Sequence, residues 1–84
     1  MNNEKTYNGW KNRSTWNVVL WIQNDEYLYN SAIDYRDNVR KGKKSTYKGF
    51  IQYMSMHDEK TPDNIAYISR LLDYKALNEM IAEL

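Results

Sequence analysis

The stretch NDEYLYNSAIDYRDNVRKG, residues 24–42, decides the fold. Its apolar side chains recur at the i, i+4, i+7 and i+11 positions of one helical face, namely Leu28, Ala32, Tyr35 and Val39. Asn24 and Asp25 can cap the N-terminus of such a helix, and two cations precede Gly42, which suits the C′ position. We therefore predict a helix that follows Asp25 and stops before Gly42.

The segment just upstream, TWNVVLWI, fits two structures. Ser14 precedes it as an N-cap candidate, and we predict a helix from about Thr15 to Asn24. The segment is also rich in β-branched and aromatic residues that alternate as in a strand, namely Trp16, Val18, Leu20 and Ile22. A strand therefore remains the alternative for this segment.

Downstream of Gly42 the sequence predicts further helices. Ser45 can cap a third helix that fades near His57 and carries on one side Tyr47, Phe50, Ile51 and Met54. Thr61-Pro62-Asp63 has the pattern of a helix start, and the helix would run through Ile65, Ile68, Leu71 and Leu72. Asp73 can cap a last helix, unless the last two form one bent helix, with the apolar residues Ala76, Leu77, Met80, Ile81 and Leu84.

These elements are enough for one hydrophobic core in a chain of 84 residues. We predict a single all-α domain over residues 1–84, a compact bundle of four or five short helices with an N-terminal arm at residues 1–13. The expected core consists of Trp16, Leu20, Leu28, Ala32, Tyr35, Val39, Phe50, Met54, Ile65, Ile68, Leu72, Leu77 and Ile81. A chain of this size buries only about 60% of its unfolded surface, so a homo-oligomer is also considered.

The composition argues against several classes of protein. Without cysteine the chain has no disulfide, thiolate metal site or cysteine nucleophile, and His57 is its single histidine. The longest apolar run, Val18 to Ile22, is too short to span a membrane, and the N-terminus lacks the apolar stretch of a secretory signal. We predict a cytoplasmic, non-enzymatic protein with no catalytic residues, no metal and no cofactor.

The charge is unevenly distributed, although the net charge is only +1. Residues 36–48 contain one acid and the candidate anion- or nucleic-acid-binding residues Arg36, Arg40, Lys41, Lys43, Lys44 and Lys48. The segment lacks the glycine and lysine spacing of a phosphate loop, which argues against nucleotide triphosphate hydrolysis. It is either a binding surface for an anionic partner or a solvated loop between helices.

Aromatic and polar residues near the N-terminus form a second candidate site. The candidate partner-binding residues are Trp10, Arg13, Trp16, Asn17 and Trp21. Tryptophan and arginine are enriched at binding hot spots. The alternative is structural, with the indoles in a central buried helix, Ser14 as a cap, Arg13 paired with a carboxylate and Asn17 bonded to backbone.

Residues 8–29, NGWKNRSTWNVVLWIQNDEYLY, resemble a motif of small uncharacterised proteins from bacteriophages, cyanobacteria and plasmids, approximately N-R-x-T-W-x-V-x-L-W-x-x-N-D/E-x-x-x-Y. The matching residues are Asn12, Arg13, Thr15, Trp16, Val18, Leu20, Trp21, Asn24, Asp25 and Tyr29. The resemblance implies a phage or mobile-element setting in a bacterial host. Because many small phage proteins act by binding host machinery, it also suggests a role against host defence.

The sequence thus leads to three hypotheses about function. The first is an accessory protein that binds and occludes or sequesters a host protein through an aromatic and basic surface. The second is a protein that sequesters a nucleotide or signal molecule with Trp10, Arg13 and the Lys43-Lys44 loop, in a pocket between subunits. The third is a small DNA- or RNA-binding domain that uses the basic residues of the 36–48 segment.

Overall fold

Four α-helices and one π-helical turn make up the regular structure of residues 7–41 and 45–84, the part of the chain that the computed structural model describes. They are α1 (Arg13–Asn24), α2 (Glu26–Asp34), the π-turn (Tyr35–Val39), α3 (Tyr47–Tyr53) and α4 (Tyr74–Glu83). These residues contain no strand, only two isolated β-bridges, so the all-α prediction is confirmed. Helix α1 packs against α2 and α4, and α3 packs against α4.

Helix α1 begins two residues earlier than predicted. Asn12, and not Ser14, is its N-cap, because the Asn12 Oδ1 atom accepts a hydrogen bond of 2.9 Å from the backbone N–H of Thr15. The buried stripe follows the i, i+3, i+4, i+7 spacing and consists of Thr15, Val18, Val19 and Ile22. Trp16 and Leu20 lie beside this stripe and are half-buried, so their assignment to the core is wrong, as is the strand alternative.

Helix α2 starts as predicted and ends differently. The Asp25 carboxylate caps it by accepting from the backbone N–H of Leu28, at 3.0 Å. Ala32 and Tyr35 are buried as expected, but from Tyr35 onward the bonding changes to i→i+5, with the Arg40 N–H donating to the Tyr35 carbonyl at 2.9 Å. The wider π-turn moves Val39 off the buried face that Ala32 and Tyr35 share. Val39 is 44% exposed, so its predicted core position is wrong.

Helix α3 is short and packs against α4 and against Tyr35 of the π-turn. Thr46 caps it, because its hydroxyl accepts from the Gly49 N–H at 3.0 Å, so the assignment of Ser45 as N-cap is wrong. The helix buries Tyr47, Phe50 and Ile51 as predicted, while Met54 is only partly buried. It ends at Tyr53, four residues before His57. The predicted C′ residue of the preceding helix, Gly42, lies outside the described residues.

Residues 55–73 form an irregular segment, so the helix predicted after Thr61 is wrong. The Thr61 hydroxyl does accept from the N–H groups of Asp63 and Ile65, both at 3.2 Å, as a helix cap would. Asn64, however, has a φ of 69°, and the Thr61 N–H donates to the Ile65 carbonyl at 2.8 Å. These two features form a turn that reverses the direction of the chain. Of the apolar residues predicted here, Leu72 is buried, Ile65 and Ile68 are partly buried and Leu71 is 66% exposed.

Helix α4 completes the core. The Asp73 carboxylate caps it by accepting from the Ala76 N–H at 3.3 Å, which confirms the predicted start and contradicts the single bent helix. Its buried residues are Leu77, Met80 and Ile81. Tyr67, which the sequence did not single out, is buried in the irregular segment opposite Tyr47, whose hydroxyl donates to the Tyr67 carbonyl at 2.6 Å. Burial raises the pKa of the Tyr47 phenol.

Candidate partner-binding surface

The partner-binding residues predicted near the N-terminus do not form one surface. Asn17 is fully buried, Arg13 is exposed, and Trp10, Trp16 and Trp21 are half-buried. Trp10 packs against the core, while the ring of Trp16 lies 4.7 Å from that of Tyr7 between centroids. Trp16 and Trp21 are separated by roughly 140° around the helix axis. The five residues are therefore divided between the interior and different sides of α1.

A polar network explains the positions of Asn17 and Trp21. The Thr61 hydroxyl donates to Asn17 Oδ1 at 2.7 Å, and Asn17 Nδ2 donates to Asp63 Oδ2 at 2.8 Å. The Trp21 indole N–H donates to the same Asp63 oxygen at 2.9 Å. The hydrogen bonds from Asn17 and Trp21 hold the pKa of Asp63 below its ordinary value, with a smaller contribution from the charge of Arg13. The network attaches the irregular segment to α1.

Two further contacts attach the same segment to the start of α1. Asn12 Nδ2 donates to the Leu71 carbonyl at 2.7 Å, while the Asp73 N–H donates to the Thr15 hydroxyl oxygen at 3.0 Å. Asn12 thus both caps α1 and binds the distant backbone. These contacts give Asn12, Thr15, Asn17 and Trp21 a structural role. Of the predicted set, Trp10, Arg13 and Trp16 make none of these hydrogen bonds.

The basic residues of the 36–48 segment are also divided. Arg36 pairs with Asp37 at 2.7 Å, which raises the pKa of Arg36 and lowers that of Asp37, and it donates to the Leu84 main-chain oxygen. The Lys48 ammonium lies 5.3 Å from the centroid of the Tyr74 ring, a cation–π distance. Arg40 and Lys41 are exposed. The predicted residues Lys43 and Lys44 lie outside the described residues.

Exposed apolar side chains concentrate elsewhere, on the outer side of α2 and α3. Tyr27 is 70% exposed, Tyr53 is 48% exposed and Val39, in the π-turn, is 44% exposed. Arg40 and Lys48 line the same groove as Val39 and Tyr53. We call the five residues the α2–α3 surface. It combines aromatic, aliphatic and cationic side chains, as interface hot spots do.

Two adjoining grooves cross this surface, with Tyr53 as their common wall. The basic groove has a volume of about 760 Å³ and is lined by Tyr35, Val39, Arg40, Thr46, Lys48, Gly49, Gln52, Tyr53, His57 and Ile68. The polar groove has a volume of about 600 Å³ and is lined by Tyr27, Asn30, Ser31, Asp34, Tyr53 and Met54. Among the described residues, no Asp or Glu lines the basic groove, whereas Asp34 lies in the polar groove.

Close packing holds the wall between the grooves in place. The ring of Tyr35 lies 5.4 Å from the ring of Tyr53 and 5.9 Å from that of Phe50, between centroids. A Cβ atom at Gly49 would lie only 2.1 Å from the Tyr35 hydroxyl oxygen, so glycine is what allows Tyr35 to approach α3 this closely. Tyr53 is therefore backed by a buried aromatic ring.

A third groove, of about 780 Å³, lies between the N-terminal residues and α4. Trp10 and Tyr29 contribute to it, but its charged lining is mixed and includes Lys11, Glu79 and Glu83. Asp73 also lines it and is already engaged as the cap of α4. This groove has neither the exposed apolar side chains nor the single sign of charge that the basic groove has.

Comparison with known sequences gives the family. The profile of DUF7249, a family of unknown function, matches residues 3–84. The chain belongs to DUF7249. No curated protein and no solved structure matches it. The DUF7249 match spans every helix described above, and so includes both the polar network and the α2–α3 surface.

The single histidine of this DUF7249 chain lies at the surface. Its Nε2 atom lies 3.4 Å from a carboxylate oxygen of Asp58, and both side chains are largely exposed. Residues 7–41 and 45–84 contain no cluster of three or more His, Cys, Asp or Glu side chains that could hold a metal ion. In these same ranges, none of the helices has the length and apolar character needed to cross a bilayer.

Three residues of this surface were not predicted as binding residues from the sequence: Val39 was assigned to the core, and Tyr27 and Tyr53 were not assigned to either site. Tyr27 precedes Leu28 and so lies off the buried stripe of α2, and an aromatic residue on a polar face was an available signal. Tyr53 gave no such signal, because the predicted helix continued to His57, whereas α3 ends at Tyr53.

Proposed function

We propose that this protein is a non-enzymatic, phage-type accessory protein that binds a host protein in the bacterial cytoplasm, occludes it and so counteracts host defence. The binding site in this proposal is the α2–α3 surface. The observation that carries it is the exposure of Val39 and Tyr53, at 44% and 48%, on the basic groove. An apolar patch rimmed by polar and cationic groups is typical of a surface that another protein covers.

Sequestration of a nucleotide or signal molecule is the second candidate. The volume of the basic groove falls within the roughly 300–1,000 Å³ of small-molecule sites. Arg40 and Lys48 would face the phosphates and Tyr53 would stack against the base. Binding of DNA or RNA ranks lower, because the net charge is only +1 and Arg36, one of the six predicted cations, is paired with Asp37.

Affinity capture tests the proposal. The tagged protein is incubated with lysate of a bacterial host, and the retained proteins and small molecules are identified by mass spectrometry. The variant Val39→Asp/Tyr53→Ser alters the α2–α3 surface, and Leu71→Ser is the matched control, because Leu71 is 66% exposed and lines neither of the two grooves. Circular dichroism checks that both variants are folded.

We expect the wild type and Leu71→Ser to retain one host protein in near-stoichiometric amount, and the double variant to lose it. Equal retention by the double variant would contradict the assignment of the surface. Recovery of a nucleotide without a protein would support sequestration instead.

A further inference from the structure

We infer that the basic groove binds an acidic segment of the partner protein, with Asp or Glu side chains facing Arg40 and Lys48 and an apolar side chain placed against Val39 and Ile68. This inference rests on the proposed function and specifies the chemistry of the partner.

The charge of the lining is the first argument. Arg40 and Lys48 are both exposed, the imidazole of His57 adds a hydrogen-bonding group, and within residues 7–41 and 45–84 no carboxylate lines the groove. The nearest described acid to His57 is Asp58, at 3.4 Å, and its side chain is 92% exposed. A carboxylate that enters the groove therefore meets two cations without a competing acid in the lining.

The apolar part of the lining is the second argument. The apolar part of the lining consists of Val39, Ile68 and the ring of Tyr53. A free inorganic or carboxylate ion would leave these side chains exposed to solvent. A segment in which an acidic side chain neighbours a Leu, Ile or Phe would satisfy both parts of the groove at once.

The adjoining polar groove favours a protein over a nucleic acid. Beyond Tyr53 the surface continues past Asn30, Ser31 and Asp34. The Asp34 carboxylate, which lies 3.5 Å from the Tyr53 hydroxyl, would repel the next phosphate of a polyanion. A peptide has no such fixed charge repeat, and its backbone can bond to amide and hydroxyl side chains such as those of Asn30 and Ser31.

The shape of the site suits such a segment without a large rearrangement. Tyr53 is backed by Tyr35, which is buried and packed against Phe50, so the wall between the two grooves is formed before the partner arrives. The π-turn presents Val39 and Arg40 beside this wall, and π-helical turns are frequently found at functional sites.

Nuclear magnetic resonance titration of the full-length protein tests the inference. The probes are a short peptide of alternating Glu and Leu, the same peptide with Gln in place of Glu, and an oligothymidylate. The variant Arg40→Glu reverses a charge in the groove, and Lys75→Glu makes the same change on α4, where Lys75 is exposed and lines neither the basic nor the polar groove.

We expect the Glu-Leu peptide to shift the amide resonances of Arg40, Gln52 and Tyr53, and the Gln-Leu peptide to shift them far less. Arg40→Glu should weaken binding about tenfold or more, and Lys75→Glu should leave it unchanged; tenfold corresponds to about 1.4 kcal/mol. Equal shifts by the two peptides, no shifts at these amides, or tighter binding of oligothymidylate would each overturn the inference.

Affinity capture with Arg40→Glu separates this inference from the proposed function. If Arg40→Glu retains the host protein as well as the wild type does, while Val39→Asp/Tyr53→Ser loses it, the acidic-segment inference fails and the proposed function stands. If neither the wild type nor any variant retains a host protein, the proposed function fails, whatever the peptide titration shows.

Discussion

Gly49 is the single residue on which the contact between the π-turn and α3 depends most directly. Alanine is a better helix former than glycine by about 1 kcal/mol, so on propensity alone Gly49→Ala would stabilise α3. The added methyl group would instead meet the hydroxyl of buried Tyr35. We expect Gly49→Ala to lower the free energy of unfolding by about 1–3 kcal/mol, measured by urea denaturation.

The matched control is Tyr35→Phe/Gly49→Ala, because it removes the clashing hydroxyl and keeps the ring. Most of the lost stability should return in this double variant relative to Tyr35→Phe alone. A double variant as unstable as Gly49→Ala would show that the hydroxyl is not the cause.

Asp63 gives the stability a defined dependence on pH. Its pKa is lowered from 3.8 in the folded protein, so its carboxylate stabilises the fold above about pH 4, and this contribution is lost as the pH falls through the lowered pKa. We expect the difference in free energy of unfolding between wild type and Asp63→Asn to be largest near neutral pH and to shrink in acid. Urea denaturation over a pH series measures it, with Asp58→Asn as an exposed control; a difference independent of pH would argue against the network.

At the level of secondary structure, the sequence correctly predicted two helix starts at which the capping side chain bonds only to its own helix. The caps Asp25 and Asp73 each bond to an amide three residues ahead, and the sequence identified both. By residue type alone, Asn12 and Ser14 are equally plausible N-caps of α1. The choice between them involves the Leu71 carbonyl, 59 residues away, which no local pattern contains.

The cap of α1 leads to a prediction at the same scale. Asn12→Ala removes the N-cap of α1 and the hydrogen bond to the Leu71 carbonyl. Ser14→Ala is the control, because Ser14 was the N-cap expected from the sequence but its side chain has no described hydrogen bond. We expect Asn12→Ala to lower the free energy of unfolding by about 1 kcal/mol or more and Ser14→Ala to change it by less than about 0.5 kcal/mol. Thermal and urea denaturation of both variants provide the measurement, and equal effects would contradict the assignment of Asn12.

The irregular segment shows why an entire element was mispredicted. Thr61, Pro62 and Asp63 begin as a helix would, but the backbone groups that follow do not bond in the helical i→i+4 pattern: the Tyr67 N–H donates to the Glu59 carbonyl at 3.1 Å. Asn17, buried in α1, holds Thr61 and Asp63 in this arrangement. Tertiary contacts thus outweigh the local helix signal, and single-sequence periodicity does not reveal them.

Across the whole molecule, the sequence predicted the fold class, but not which aromatic, aliphatic and basic side chains would lie together at the surface. An all-α bundle followed from the helical spacing in α2 and α4, and an aromatic and basic surface was expected from the composition. The surface proposed here instead depends on Val39, which the periodic pattern assigned to the core. That pattern assumes 3.6 residues per turn, and the π-turn departs from it.

The same surface bears on self-association, which the small size of the chain also suggested. A two-fold dimer through the α2–α3 surface would bring Arg40 and Lys48 of one copy near the same residues of the other. We therefore expect a monomer at low ionic strength and more association as salt screens the repulsion, measured by sedimentation velocity. Tyr53→Ser should abolish the association at high salt. A dimer that is strongest at low salt would contradict this prediction.

The anchoring of residues 55–73 on α1 also has a consequence for the order in which the chain assembles. The hydrogen bonds that attach this segment to α1 join residues that are 42 to 59 positions apart in the sequence. Helices α1 and α2, in contrast, are consecutive and meet at Asp25. Contacts between neighbouring elements close small loops and form early. Contacts across most of the chain form later, because closing a large loop costs more conformational entropy. We expect the α1–α2 hairpin to be the nucleus and the irregular segment to join last, so that mutations at Asn17 change the unfolding rate more than the folding rate.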